Sequence, residues 1–204
     1  MNLARLLQLA SPTLPVGAYS YSGGLEAAIE AGIVKDAESA ERWISDVLEF
    51  SLSRMELPLL KAMIQKPEQL QTLNEMLLAS RETAELRAES VQMGYSLKKL
   101  LIDLGAGEVP LEEPSFPAAF AFAARQWKID PDAALQVYLW AWLENQVMSA
   151  VKAVPLGQTD GQRMLLNLGN LIETIKADDV GNFAPGLAML STKHETQYSR
   201  LFRS

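Results

Sequence analysis

The chain contains no cysteine and a single histidine, His194. Disulfides are therefore excluded, and a transition-metal site, which needs several histidine or cysteine ligands, is disfavoured beyond a weak or intersubunit site. We expect no cofactor. The lack of cysteine and the single histidine also argue against an enzyme, because a serine–histidine–acid triad could use only Ser191, His194 and Glu195. No nucleophile-elbow pattern accompanies those three residues.

Basic residues and long apolar runs are also scarce. Lys and Arg number 18 against 25 Asp and Glu, a net charge of −7, which argues against nucleic acid as the main partner. The most apolar stretch, residues 133–154, is interrupted by Glu144, Asn145 and Lys152, so no transmembrane segment is predicted. No secretory signal pattern opens the chain. We expect a cytoplasmic protein without membrane contact.

Helical periodicity dominates the sequence, and no alternating strand pattern occurs. The prediction is an all-α fold: one domain, residues 1–204, forming a bundle of roughly seven to ten helices around a central apolar helix. Asp130-Pro131-Asp132 starts that central helix, which extends to about Val154. Its polar outliers, Asn145 and Gln146, either hydrogen-bond across the bundle or line an internal cavity.

Three further local patterns guide the helix assignment. A stripe at spacings of four and three predicts a packed helix that ends at Gly105, and consists of Leu86, Ser90, Met93, Leu97, Leu100 and Leu104. Thr159 and Gln162 fit a capping box for the last long helix. Residues 178–186 are predicted to form a turn.

Residues 11–26, SPTLPVGAYSYSGGLE, separate the first two helical patterns. Pro12 and Pro15 end the first helix, because each removes a backbone donor and fixes φ. The stretch is either an ordered connector or a recognition surface, since loops on rigid scaffolds often carry binding residues. A phosphate site is disfavoured, because no lysine lies between Gly17 and Gly23.

The tail formed by residues 193–204 differs from the rest of the chain in charge. It holds three basic residues and one acid, a net charge of +2, whereas the remainder carries −9. Apolar and aromatic residues are interleaved with its arginines: Tyr198, Leu201 and Phe202. Such a segment is either a frayed terminus or an interaction segment, and the aromatic and arginine content favours interaction.

Four stretches, in this order, resemble the UreF family of urease accessory proteins: SPTLPVGAYSYSGGLE at 11–26, ESVQMG at 89–94, PLGQTDGQ at 155–162 and HETQYSRLFRS at 194–204. The resemblance implies an all-α, dimeric, cytoplasmic protein without metabolic activity of its own. It also implies a complex with UreD (also called UreH) and the GTPase UreG, which acts on the urease apoprotein as a GTP-dependent chaperone for nickel insertion.

The same resemblance implies which residues bind partners. Its motifs place the UreD-facing segment in the tail, at His194, Glu195, Tyr198, Arg200, Leu201, Phe202 and Arg203. They place parts of the dimer or UreG-facing surface in the loop, at Pro15, Gly17, Tyr19, Ser20 and Glu26, and at Gly157 and Gln158. Three alternatives stay open: an enzyme that uses Ser191, His194 and Glu195, a regulator of GTP hydrolysis that supplies Arg200 or Arg203 as an arginine finger, and a generic helical adaptor.

Overall fold

The computed structural model describes residues 3–177, 180–181 and 184–204. In this part of the chain there are ten α-helices and no strand, which confirms the all-α prediction. The helices are α1 Leu3–Ala10, α2 Leu25–Glu30, α3 Ala37–Phe50, α4 Glu56–Gln65, α5 Leu70–Ala79, α6 Ala84–Asp103, α7 Phe116–Gln126, α8 Pro131–Ala153, α9 Gln158–Ile172 and α10 Pro185–His194. No helix among the described residues has the length and apolar character needed to cross a membrane.

Helix α8 is the centre of the bundle and packs against α1, α2, α3, α4 and α9. It begins where expected, because the Asp130 carboxylate accepts a hydrogen bond from the Ala133 N–H at 3.1 Å. Leu143 and Val147 are fully buried along it. Its burial is not complete all round, however: Trp140 and Met148 are exposed, so one strip of the helix faces solvent.

Helix α6 begins after Thr83, whose side chain accepts the Leu86 N–H at 3.2 Å. The predicted stripe holds at its start but not at its end, where Leu104 is exposed and Leu101 is buried instead. The cause is the mismatch between the 3.5-residue spacing of the pattern and the 3.6 residues of a helical turn, which rotates the stripe off the packed face.

Several predicted boundaries differ from the observed ones. Pro58 does not open a helix, because α4 begins two residues earlier, at Glu56. The capping box at Thr159 is wrong: α9 begins after Gly157, and the Asp160 carboxylate accepts the Gly157 N–H at 3.2 Å. Of the predicted turn, residues 178, 179, 182 and 183 lie outside the described residues. The last residues of the predicted turn, 185 and 186, instead begin helix α10, which was not predicted.

Candidate functional site

The loop of residues 11–26 is an ordered structure on the surface of α8. Gly17 and Gly24 both adopt left-handed backbone conformations, with φ of +80° and +84°, which other residues rarely accept. From α8, the Asn145 side chain donates a hydrogen bond to the Tyr21 carbonyl at 3.1 Å. This bond confirms the bonding role predicted for Asn145, although it joins the helix to the loop rather than to another helix. Asn145 also lines a cavity beneath the loop, so the alternative predicted for it holds as well.

The tail folds back onto this loop through Glu26, in the first turn of α2. The Glu26 carboxylate accepts the Leu201 N–H at 2.6 Å and the Phe202 N–H at 2.9 Å. The Arg203 N–H donates to the Ser20 carbonyl at 2.8 Å. The tail is therefore docked on its own chain rather than frayed, and Glu26 is an internal clamp for it.

His194 lies between two carboxylates and is fully buried. Its Nδ1 is 2.6 Å from Glu85 and its Nε2 is 3.1 Å from Glu26. Ser191 instead hydrogen-bonds the Thr83 hydroxyl at 2.7 Å. The adjacent Glu195 carboxylate accepts the Ala84 N–H at 3.0 Å, at the start of α6.

These contacts do not form a catalytic triad. Ser191, His194 and Glu195, the residues considered for a triad, each bond a different partner. No hydrogen bond joins Ser191 to His194 in the described part of the chain. The buried imidazole has a carboxylate at each ring nitrogen, so it is not placed to take a proton from the serine. The arrangement instead fixes α10 and the tail to α2 and α6.

The end of the tail is anchored by buried residues. Ser204 is fully buried: its carbonyl oxygen accepts the Ser22 N–H at 3.1 Å, and its hydroxyl donates to Glu89 at 2.6 Å. Phe202 is also buried, with Lys152 Nζ 4.7 Å from the centre of its ring. A cation so placed is attracted to the ring face. These two buried residues follow the exposed Leu201 in the tail and thus hold it in place.

Other side chains of the loop and the tail remain open to solvent and form what we call the tail–loop surface: Pro15, Tyr19, Tyr198, Arg200, Leu201 and Arg203. Tyr198 is fully exposed and Tyr19 three-quarters exposed. Arg200 is exposed but paired with Glu85. Exposed tyrosine and arginine are residue types that carry much of the binding energy in protein interfaces.

Comparison with known proteins matches this chain to the UreF family model over residues 34–169. Relatives extend the match to the loop and the tail. A urease accessory protein UreF from Azoarcus sp. (strain BH72) is 54% identical, covering 100% of this chain and 96% of the relative. The chain belongs to the UreF family of urease accessory proteins. A second UreF, from Dechloromonas aromatica (strain RCB), is 48% identical over 100% of this chain and 98% of the relative.

In this UreF-family chain the structure brings together two of the three predicted binding regions. The loop and the tail meet through Glu26, Ser20 and Arg203. Gly157 and Gln158 are exposed at the start of α9, and no described hydrogen bond or ion pair joins them to the loop or the tail. Gly17 is half-buried and turns the loop through its positive φ.

Several residues of the docking contacts were not singled out from the sequence, among them Ser22, Glu85, Glu89 and Ser204. Ser22, Glu89 and Ser204 lie inside the stretches that resemble the UreF family, but the resemblance assigned them no role. Glu85 lies outside these stretches. No local pattern indicates that its carboxylate meets both His194 and Arg200.

Glu89, which lies behind the tail, is part of a group of buried charged side chains. Arg81 pairs with Glu56 at 2.7 Å, and the Tyr138 hydroxyl donates to the same Glu56 carboxylate. Burial, together with the Glu56 charge, raises the pKa of Tyr138 well above its ordinary value. Burial also raises the pKa of Glu89 to about 7, from 4.5, against the opposing effects of the Ser204 hydrogen bond and the Arg81 charge.

The raised pKa of Glu89 predicts a pH-dependent stability. Because the folded state binds this proton more tightly than the unfolded state, the stabilisation is complete below pH 4.5 and is lost as the pH rises to about 7. Glu89→Gln stays uncharged at every pH. Its free energy of unfolding, relative to that of the wild type, should therefore rise by up to about 3 kcal/mol between pH 4.5 and pH 8. Urea unfolding of both proteins at the two pH values measures this change, and an equal difference at both values contradicts it.

Proposed function

We propose that this chain is a non-enzymatic scaffold in urease maturation. In this proposal it binds UreD and the GTPase UreG, and the complex assembles the nickel centre of the urease apoprotein with GTP hydrolysis. Nickel is the cargo of the complex rather than a cofactor of this chain. Membership of the accessory-protein family supports the pathway, and the scaffold role follows from what the chain offers at its surface.

The observation that carries the proposal is the tail–loop surface. Two stretches far apart in sequence are joined by Glu26 and Ser20 so that Tyr19, Tyr198 and Leu201 are exposed on one assembly. Holding exposed apolar side chains in place before binding reduces the entropy lost on association. The basic charge of the tail, with Arg203 exposed, suits an acidic patch on the partner.

The test is co-expression with UreD followed by affinity measurement on the purified proteins. Tyr198→Ala combined with Leu201→Ala removes one fully exposed and one half-exposed side chain, so the fold should persist while UreD binding weakens about tenfold or more. Ile102→Ala is the matched control for Leu201. Its side chain is as exposed as that of Leu201, but it lies on α6 roughly 25 Å beyond the tail-binding end.

A chain that ends at Thr192 extends the test to the whole tail. If the double variant binds UreD as tightly as the wild type while the truncated chain does not, the buried anchors rather than the exposed side chains carry the interface. If both bind normally, the tail–loop surface is not the UreD site. In that case Gly157 and Gln158 become the next surface to test.

A role in UreG regulation is a second candidate, favoured by the exposed Arg203. Arg200 is a poorer arginine finger because Glu85 already neutralises it at 2.5 Å. If the chain accelerates UreG, its addition should raise the GTP hydrolysis rate, and Arg203→Ala should abolish the increase. An unchanged effect of the variant excludes the arginine-finger role.

The proposal also includes a homodimer in the cytoplasm. Light scattering of the purified chain, alone and with UreD, measures the mass directly. The calculated monomer mass is 22.5 kDa, so a dimer doubles it. A monomer in both conditions contradicts the dimer while leaving the scaffold role intact.

A further inference from the structure

The end of the tail closes over the side chain of Glu89, on α6. Ser204 is fully buried there: its hydroxyl donates to the Glu89 carboxylate at 2.6 Å, and its carbonyl oxygen accepts the Ser22 N–H at 3.1 Å. The docked tail thus shields one side of Glu89 from water. Opening of the tail would admit water to that side.

The groups behind Glu89 contain more negative than positive charge. Glu56 of α4 acts on Glu89 from there, and Arg81, which precedes α6, is already paired with Glu56 at 2.7 Å. The Tyr138 hydroxyl of α8 also donates to Glu56. Two carboxylates therefore share one guanidinium in a buried setting, and a proton on Glu89 removes the excess negative charge.

The charged groups on the loop, the tail and α6 do not restore the balance. Tyr21 of the loop faces Glu89, and burial raises the pKa of its hydroxyl, which stays uncharged. Arg203 of the tail acts on Tyr21 but is exposed, so water screens its charge. Glu85, one helical turn before Glu89, is already paired with residues of α10 and the tail. Two further carboxylates line the cavity beneath the loop, those of Glu82 and Glu144.

We propose that the tail is a proton-operated latch: Glu89 is uncharged while the tail is docked over it, and loss of its proton loosens the tail. This follows from the closure of the tail over Glu89 and from the charges behind it. A tail that docks on a charged Glu89 removes water from a carboxylate that has no cation of its own, which opposes docking.

The direction of the pH dependence follows from the balance of effects at Glu89. Burial raises its pKa from 4.5 to about 7 and outweighs the Ser204 hydrogen bond, which favours the charged form. Because the docked state binds this proton more tightly than the open state, its contribution to docking is complete below pH 4.5. That contribution is lost as the pH rises to about 7.

The latch determines when the tail–loop surface is assembled. Tyr198 and Leu201 are held near the loop only while the tail is docked, so a fall in pH favours the assembled surface. If that surface binds UreD, a fall in pH also favours the complex. This last consequence rests on the proposed function, whereas the latch itself is a property of the chain alone.

Trypsin cleavage after Arg200 tests the latch on the full chain without a partner. Initial rates are divided by those for a free peptide of residues 193–204, which removes the pH dependence of trypsin itself. Between pH 6 and pH 8 we expect the corrected rate of the wild type to rise about tenfold. Glu89→Gln stays uncharged, so its corrected rate should hardly change.

Glu144→Gln is the matched control. Burial raises the pKa of Glu144 as well, and it lines the same cavity, but no described hydrogen bond or ion pair joins it to the tail. This variant should therefore respond to pH as the wild type does. If it loses the response as Glu89→Gln does, the total negative charge around the cavity, rather than a proton on Glu89, controls the tail.

Two further outcomes overturn the proposal. A wild-type rate that does not change with pH excludes a latch. A Glu89→Gln profile that follows the wild type assigns the proton to another group, such as His194. A carbon-13 NMR titration of the Glu89 carboxyl group in the wild type needs no variant: its midpoint should coincide with that of the cleavage profile, and a midpoint near 4.5 refutes the latch.

Discussion

Replacing Gly94 by alanine should destabilise the chain by about 3 kcal/mol, although alanine is normally the better helix former. Gly94 lies inside α6, where a Cβ would come 2.1 Å from the Pro114 carbonyl oxygen and 2.7 Å from the Ser115 carbonyl carbon. Both contacts are with backbone, so no side chain can turn away to make room.

The opposing segment cannot easily shift either. The buried Asn74 side chain accepts the Ser115 N–H at 2.8 Å and donates to the Glu113 carbonyl at 2.9 Å. Moving the segment away from α6 would break these bonds in a buried setting, where each lost bond is costly. The clash therefore has to be absorbed by the packing of α6 against α7.

Urea unfolding followed by circular dichroism measures the effect of Gly94→Ala. Gly186→Ala is the matched control, because Gly186 is also helical but has open space around it, and alanine there should be neutral or slightly stabilising. A free energy of unfolding for Gly94→Ala within 1 kcal/mol of the wild type would show that α6 and the 113–115 segment can separate at little cost.

Replacing Glu26 by alanine should release the tail, with a smaller effect on the rest of the fold. The substitution removes the acceptor for the Leu201 and Phe202 N–H groups and one of the two carboxylates at His194. Those donors regain partners most easily in water, so the tail is expected to open rather than stay docked with unpaired groups.

Limited trypsin digestion measures that opening, because Arg200 provides a cleavage site in the tail. We expect the initial rate of cleavage after Arg200 to rise at least about tenfold, equivalent to about 1.4 kcal/mol of lost docking. Glu26→Gln keeps an acceptor oxygen and should lie between the wild type and alanine. Glu30→Ala, exposed on the same helix, should leave the rate unchanged. Unchanged cleavage in Glu26→Ala would refute the clamp.

The sequence predicted most helices because their start signals are local. Asp130 caps α8 by accepting the Ala133 N–H three residues further on, so a short window of sequence contains the whole start signal. Helix α10 was missed for the opposite reason. Its apolar residues form no strong stripe, and its burial depends on packing against α2, more than 150 residues earlier in the chain.

The docking of the tail could not be predicted for the same physical reason. The bond from the Leu201 N–H to Glu26 joins residues 175 positions apart, and it uses a backbone donor that any residue possesses. The family resemblance marked both ends of this contact as binding regions. Only the structure shows that Glu26 and His194 bond within the fold, and that the exposed Glu195 bonds the start of α6, whereas Tyr198 and Leu201 face outward.

The contact of Glu195 with the start of α6 makes hydrogen exchange a direct measure of tail docking. The Ala84 amide bonds to Glu195, whereas the nearby Leu86 amide bonds to Thr83 of its own helix turn. Exchange at Ala84 should therefore be slow only while the tail is seated, with Leu86 as the internal reference. In a complex with UreD, a slow Ala84 amide would mean that the partner binds the tail in place. A fast one would mean that the partner takes the tail away.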